Sequence, residues 1–251
     1  MSGHSKWASI KHKKAIVDSR RGQAFTKLAR AITVAARDGG GDPEANATLA
    51  NAVQKARDAS MPKDNIDRAI AKGTGEGADA DAIESVVYEG YGPGGVAIMV
   101  EALTDNRNRT GAEVRHIFGK HAGALGEPGS VAYLFRKRGV VVVDASRWSE
   151  DDLEPAIDAG AEDISADGDL YEIVSDPGDL AAVRGAVEDA GVEIQSAEVV
   201  QQATSRVPVD DGEVGQLLRL LEALEADDDV HAVHANFDAA ADALERAAAA
   251  G

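Results

Sequence analysis

The chain has 251 residues, 44% of them apolar, and a formal net charge of -18. It contains no cysteine, which excludes disulfide bonds, thiolate zinc sites and cysteine nucleophiles. No apolar run approaches the ~18 residues of a membrane span, so the composition predicts a soluble protein of several domains and no membrane partner.

Charge is distributed very unevenly along the chain. Residues 1–37 hold nine Lys or Arg and one acid, Asp18, a net charge of +8. From Gly139 onward, 28 Asp or Glu face five Arg and no Lys, a net charge of -23. A basic end on an acidic protein predicts a polyanionic partner. A basic, acid-poor start is also typical of a removable transit peptide, which composition leaves open as an alternative.

The segment 3–14 combines cationic, aromatic and imidazole side chains without an apolar face that could pack as core. Lysines neutralise phosphates, and tryptophan or imidazole rings stack on bases. The segment therefore predicts a nucleic-acid-binding arm, and a solvated terminus that binds nothing is the alternative. The candidate contacts are His4, Lys6, Trp7, Lys11, His12, Lys13 and Lys14.

Three helices are predicted in the first 75 residues. On the first, residues 18–37, Phe25 and Ile32 share an apolar face. Its cations lie opposite, and this basic stripe is expected to be free of core contacts. Asp42 is predicted to cap a second helix, and a third spans residues 62–72. The stripe contains Arg20, Lys27 and Arg30.

Beyond a linker at residues 73–82, the apolar pattern changes to alternating strands and helices. Residues 139–202 follow the strand and helix order of a ferredoxin-like unit. Later elements are expected to complete the sheet that begins near Ser85. The predicted fold is an α + α/β multidomain protein, with a three-helix domain followed by two ferredoxin-like α/β domains, one inserted in the other. The predicted domains are 1–75, 83–137 plus 206–251, and the inserted 138–205. Strands are predicted at 85–88, 96–103, 131–135 and 140–144, with a helix at 107–121.

A second candidate anion surface lies where a predicted strand ends and the helix at 107–121 begins. Free backbone amides and guanidinium groups would meet there. Local pairing is an equally good interpretation, with Asp105 capping the helix and Glu113 pairing with Arg109. The surface would consist of Asn106, Arg107, Asn108, Arg109 and Arg115.

Motifs for catalysis or cofactor binding are weak. Residues 90–95 match G-x-G-x-x-G by letters, but the strand pattern that follows predicts a turn rather than a dinucleotide site. Residues 227–229 are three aspartates between a helix and a strand, which indicate a solvated turn more readily than a cation site. The sequence therefore predicts no enzyme, cofactor, bound metal or small-molecule substrate.

Six short motifs are spread over the chain, at residues 3–7, 10–14, 61–66, 88–90, 104–109 and 128–131. Together they resemble the YebC/PmpR family, bacterial relatives of the mitochondrial translational activator of cytochrome c oxidase subunit one. The resemblance covers essentially the whole chain and begins at Ser2, which argues against a transit peptide. This sequence departs from the family pattern at Ser60, where relatives often have Asn, and at Ala71, where many have Lys.

The resemblance implies a cytoplasmic protein without cofactor or catalytic residues. It places nucleic-acid contacts on the arm and on Arg20, Arg21, Lys27 and Arg30. A DNA-binding transcriptional regulator is the first hypothesis, and a ribosome-associated RNA-binding translation factor is the alternative. An enzyme that acts on an anionic small molecule at residues 106–109 is the third.

Overall fold

The computed structural model describes residues 21–75 and 83–250. Three helices precede two four-stranded sheets of antiparallel strands with packed helices, which confirms the predicted fold class. In chain order the elements are α1 (Arg21–Gly39), α2 (Ala47–Asp58), α3 (Lys63–Gly73), β1 (Glu84–Tyr91), β2 (Ala97–Thr104), α4 (Arg107–Lys120), β3 (Ala124–Leu125), β4 (Phe135–Asp144), α5 (Glu154–Asp158), β5 (Ala161–Asp167), β6 (Leu170–Ser175), α6 (Leu180–Asp189), β7 (Ile194–Ala203), β8 (Val207–Pro208), α7 (Asp211–Ala226), β9 (Val230–Ala235), β10 (Phe237–Asp238) and α8 (Ala241–Ala250).

The chain forms two compact units. Residues 135–202 form one, and the described residues before and after them form the other. Strand β9 pairs with β2 although the whole smaller unit separates them in sequence. The smaller unit is therefore inserted between elements of the larger one, whereas the predicted limits of three separate domains stay a prediction.

The three helices pack around a common apolar core. Leu28 and Ile32 of α1 meet Leu49 and Val53 of α2 and Ile66 of α3. These positions follow the helical period, which is why the sequence predicts these helices.

Helix α2 begins later than predicted. Its N-cap is Asn46, whose Oδ1 accepts a hydrogen bond from the Leu49 amide at 3.0 Å. The side-chain nitrogen of Asn46, Nδ2, donates to the carbonyl of Ala35 at 2.8 Å, so this buried side chain holds α2 against the end of α1. The prediction of Asp42 as the cap is wrong, because Asp42 instead accepts from the Glu44 amide in a turn that precedes the helix.

The first sheet has the strand order β3-β1-β2-β9. Helices α4, α7 and α8 share an apolar core with one face of this sheet, centred on Ile98, Phe118 and Leu221. Residues 90–95 end β1 and form the turn toward β2, as predicted: the turn begins at Gly92, whose amide donates to the Val96 carbonyl at 2.8 Å.

The predicted strand at 131–135 is wrong, because residues 132–134 form a short 3-10 helix. The amides of Val131 and Ala132 donate to the Glu89 carboxylate at 2.7 Å and are not available for a strand ladder. The short strand β3 takes the edge position beside β1 instead.

The inserted unit has the strand order β5-β6-β4-β7, which is the ferredoxin-like order predicted for this stretch. Helices α5 and α6 share its core with Val141 and Ile173. In the other unit, β1 and β2 are neighbours joined by a turn, so its sheet does not have the ferredoxin-like strand order that was also predicted for it. Within the described residues, no helix combines the length and the apolar character needed to cross a membrane.

Candidate nucleic-acid interface

Most of the predicted nucleic-acid contacts fall outside the described residues. Arg21 opens helix α1, but its side chain is likewise outside the described part of the structure. Lys27 and Arg30 are the two members of this set whose side chains lie within the described residues. The residues outside are His4, Lys6, Trp7, Lys11, His12, Lys13, Lys14 and Arg20.

The Lys27 side chain binds its own chain. Its Nζ donates to the carbonyl of Glu225 at 2.6 Å, near the C-terminal end of α7. That helix end carries unpaired carbonyls and partial negative charge, so it suits a cation. Burial lowers the pKa of Lys27, and the neighbouring Asp227 and Asp228 oppose this effect.

The Arg30 side chain binds the same region. Its Nη1 donates to Asp229 Oδ1 at 2.7 Å and to the Asp228 carbonyl at 3.0 Å. The α1 stripe was predicted to be free of core contacts, and at Lys27 and Arg30 the structure adds polar contacts to a distant part of the chain that this prediction did not include. Side chains of this length reach the C-terminal end of α7 and the loop after it, which the helical period of α1 alone could not show.

Asp229 is the centre of this arrangement. Its side chain is 5% exposed, and its Oδ2 accepts from Arg109 Nη2 at 2.6 Å and from Thr110 Oγ1 at 2.7 Å. Thr104 Oγ1 donates to the same oxygen at 3.2 Å. The structure thus brings together one arginine from each predicted surface, on either side of one buried carboxylate.

The electrostatics of Asp229 follow from these partners. Burial alone would raise the pKa of its carboxyl, but hydrogen bonds from Arg109, Thr110 and Arg30 outweigh burial and lower it to about 2. In turn, Asp229 and Asp105 raise the pKa of Arg109. The prediction of a solvated turn at 227–229 is wrong for Asp229, although Asp228 is exposed.

Three carboxylates meet in the same place. Glu113, Asp227 and Asp229 each bring one oxygen to within 4.8 Å of the others, a spacing that could suit a cation. However, the Asp229 oxygens already accept from two guanidinium groups and two hydroxyls. A divalent cation would have to displace or face those arginines, so this group fits a metal poorly.

The start of α4 is held mainly by local contacts. Asn106, rather than the predicted Asp105, is the N-cap, and it accepts from the Arg109 amide at 3.1 Å. The Arg109 side chain pairs with Asp105 at 2.9 Å rather than with the predicted Glu113. Arg107 lies 3.6 Å from the carboxylate of Glu84. Within the predicted anion surface, Arg109 is therefore already paired with carboxylates of the chain. Arg107, Asn108 and Arg115 are exposed.

Sequence reasoning missed Asp229 and Glu89 as organising residues. Glu89 is 7% exposed, and its carboxylate accepts from the amides of Gly129, Val131 and Ala132 at 2.7 Å each. Tyr88 and Gly90 face the core side of the sheet, so strand alternation places Glu89 on the opposite face and predicts an exposed carboxylate. No local pattern therefore marked either Glu89 or Asp229 as buried.

Comparisons with known proteins agree with this structure over nearly the whole chain. The model of the TACO1/YebC protein N-terminal domain matches residues 5–76, and the model of the TACO1/YebC second and third domain matches residues 83–237.

Individual relatives are similarly close. A protein of Rubrobacter xylanophilus is 56% identical over 239 residues, covering 95% of this chain and 96% of the relative. A protein of Acidothermus cellulolyticus is 55% identical over 239 residues, covering 95% and 96%. Both are named "Probable transcriptional regulatory protein".

Among solved structures, a conserved hypothetical protein of Aquifex aeolicus superposes with a TM-score of 0.81 at 47% identity. The alignment covers 92% of this chain and 96% of that one. Family models and relatives confirm the resemblance seen in the short motifs: the chain belongs to the TACO1/YebC family.

Proposed function

We propose that the protein is a non-enzymatic regulatory protein that acts by binding nucleic acid, first as a DNA-binding transcriptional regulator. The observation that carries this proposal is the net charge of +8 in residues 1–37 of a chain whose total is -18. The names of the relatives, "Probable transcriptional regulatory protein", support a regulatory role. In bacteria such as those relatives, DNA and ribosomes are cytoplasmic, so the proposed site of action is the cytoplasm.

The proposal gives the phosphate contacts to the arm rather than to the middle of α1. Lys27 binds the C-terminal end of α7 and Arg30 binds the loop after it, so they position α1 and are not free to track a nucleic-acid backbone. The exposed Arg107, Asn108 and Arg115 offer a second surface. The arm residues are His4, Lys6, Trp7, Lys11, His12, Lys13 and Lys14.

Fluorescence anisotropy with labelled DNA tests this proposal. The triple variant Lys11→Ala, Lys13→Ala, Lys14→Ala should bind more weakly and reduce the slope of log K against log salt by about 2 to 3. A matched triple variant, Lys63→Ala, Lys120→Ala, Lys137→Ala, removes the same charge from exposed positions elsewhere. Equal affinity and slope for the arm variant and the wild type would refute the role of the arm.

A second candidate, an RNA-binding factor on the ribosome, is favoured by the state of α1. With Lys27 and Arg30 committed to the protein, the described part of α1 does not present a row of free cations to a major groove. A basic segment that also carries tryptophan and imidazole side chains suits RNA, whose unpaired bases stack on such rings. Salt-sensitive comigration with ribosomes in a sucrose gradient would favour this version, and protein confined to the light fractions would favour DNA.

A further inference from the structure

A cleft of about 510 Å³ lies between α1 and α3, within the size range of small-ligand pockets. The two helices approach closely at one end of it. A Cβ added at Gly73 would lie 2.3 Å from the Thr33 carbonyl oxygen, and Thr33 Oγ1 donates to the Ala69 carbonyl at 3.1 Å. This contact fixes the angle between the helices, so the cleft is a built feature of the fold.

The far wall of the cleft is anchored by arginines of α1. Arg37 Nη1 donates to the carbonyl of Ile83, and Arg30 Nη1 lies 3.4 Å from the carbonyl of Leu103. The apolar lining includes Met61, Ala69 and Ile83, whose side chains are buried against the helices and the start of β1. The cleft therefore has an apolar floor that is held in place by hydrogen bonds.

The rim of the cleft is cationic. Arg68 and Lys72 lie one turn apart on α3, and both line the cleft. Arg68 is oriented by its own helix, because its Nε donates to the Asp64 carbonyl at 3.1 Å and its Nη2 donates to Asn65 Oδ1. Within residues 21–75 and 83–250, neither cation forms an ion pair with a carboxylate.

The remaining charges around the cleft are already balanced. Arg30 pairs with Asp229, and Asp105 pairs with Arg109. Asp64 and Asp67 of α3 are not among the lining residues. Arg68 and Lys72 therefore leave the cleft positive in a chain whose net charge is -18, which selects an anionic occupant.

We propose that this cleft binds one unpaired nucleotide of a nucleic-acid strand, with its phosphate between Arg68 and Lys72 and its base over the apolar floor. The cleft is much larger than a phosphate group, and its combination of apolar floor and cationic rim matches a base joined to a phosphate. A base inside a duplex is stacked and paired and cannot enter. The inference rests on the proposed function and adds that the bound strand is at least partly unpaired.

Anisotropy with full-length protein tests the inference, using a labelled 12-nucleotide single strand and a duplex of the same length. The variant Arg68→Ala, Lys72→Ala should lose about tenfold in single-strand affinity through two phosphate contacts, and its duplex affinity should stay within twofold. The control Arg57→Ala, Lys63→Ala removes two exposed cations that do not line the cleft and should leave both affinities within twofold. Circular dichroism melting verifies that both variants fold.

Each other outcome is informative. Equal losses on single strand and duplex would mean that Arg68 and Lys72 act only through general charge, and would overturn the inference. Unchanged single-strand affinity in the cleft variant would also overturn the inference. So would equal competition for the wild-type protein by a polyglutamate peptide and by an unlabelled single strand of the same charge. If the wild-type protein binds neither the single strand nor the duplex, the proposed function itself is refuted. The cleft variant tests only the cleft, so the two failures can be told apart.

Discussion

Single residues in this protein carry interactions that bind distant parts of the chain. Asp229 accepts from Arg30, which lies 199 residues earlier, and from Arg109 and Thr110 on α4. A buried carboxylate with these donors is favourable only while every partner is present. The cations of two predicted nucleic-acid surfaces are thereby used, in part, to hold the larger unit together.

Replacing Asp229 by Asn should destabilise the protein by about 2 to 3 kcal/mol, because the charge-assisted hydrogen bonds from two partly exposed guanidinium groups are weakened. Chemical denaturation at pH 7 measures this. The control Asp228→Asn, at an exposed neighbouring position, should change stability by at most about 0.5 kcal/mol. Equal effects at the two positions would contradict the assignment.

The same residue predicts a pH dependence. The pKa of Asp229 falls from an ordinary 3.8 to about 2 in the folded protein. Its contribution is therefore complete above pH 3.8 and is lost as the pH falls toward 2. Between pH 5 and 2, the stability of the wild type should decline more steeply than that of Asp229→Asn. Parallel curves from denaturant titrations would show that this carboxylate does not contribute to acid unfolding.

Ser60 holds a backbone conformation that its side chain disfavours. Its φ is 59°, in the left-handed region, where Asn and Gly are much better tolerated than Ser. Ser60→Asn should therefore stabilise the protein by about 0.5 to 1 kcal/mol, measured as a rise in Tm. Ala59→Gly, at a position with φ of -75°, should not stabilise. An unchanged or lower Tm for Ser60→Asn would refute this explanation.

At the scale of elements, one side chain decides where a strand stops. Glu89 accepts hydrogen bonds from three backbone amides in residues 129–132, and these bonds direct that segment away from the sheet. Strand β3, rather than the predicted strand at 131–135, therefore borders β1. These hydrogen bonds also lower the pKa of Glu89 against the opposing effect of burial.

Glu89→Gln should cost about 2 to 3 kcal/mol, because a Gln amide offers one oxygen to three amide donors and turns its own NH2 toward them. Amide hydrogen exchange should show faster exchange at Gly129, Val131 and Ala132. Substituting the exposed Glu84 of the same strand by Gln is the control and should leave these amides protected. Unchanged protection in Glu89→Gln would rule out the role assigned to this carboxylate.

The crossing of α1 and α3 depends on a residue without a side chain. A Cβ at Gly73 would lie 2.3 Å from a backbone oxygen and 2.7 Å from Ala36 Cβ. Gly73→Ala should therefore cost about 1 to 3 kcal/mol through overpacking, although Ala is the better helix former. Gly119→Ala, in open space on α4, should instead stabilise by up to about 1 kcal/mol. Stabilisation by both substitutions would show that the helices can separate without cost.

On the scale of the whole molecule, charge separates the basic start from an acidic remainder. If about five arm cations meet phosphates, log K for nucleic acid should fall by about 4 to 5 per decade of salt. Anisotropy titrations between 50 and 300 mM salt measure this slope. A slope near zero would contradict binding through phosphates and with it the proposed function.

Much of the fold could be read from local patterns. The core positions of α1, such as Leu28 and Ile32, repeat with the helical period, and the order of elements in 139–202 identified the ferredoxin-like unit. Predictions failed where a side chain competed with the local pattern. Asn46 moved the start of α2, and Glu89 removed the strand at 131–135.

By itself, the sequence determined the helices, most strands, the opposition of charge and the family, because these follow from local periodicity and residue identity. Only the tertiary structure decided which cations are committed to the protein and which face solvent. Nothing in the sequence separates the cations of these two groups. Lys27 binds the end of α7, and Arg30 and Arg109 bind Asp229. Arg68 and Lys72, by contrast, line the cleft. The physical reason is that a charge is neutralised by groups close in space, and folding brings those groups together from opposite ends of the chain.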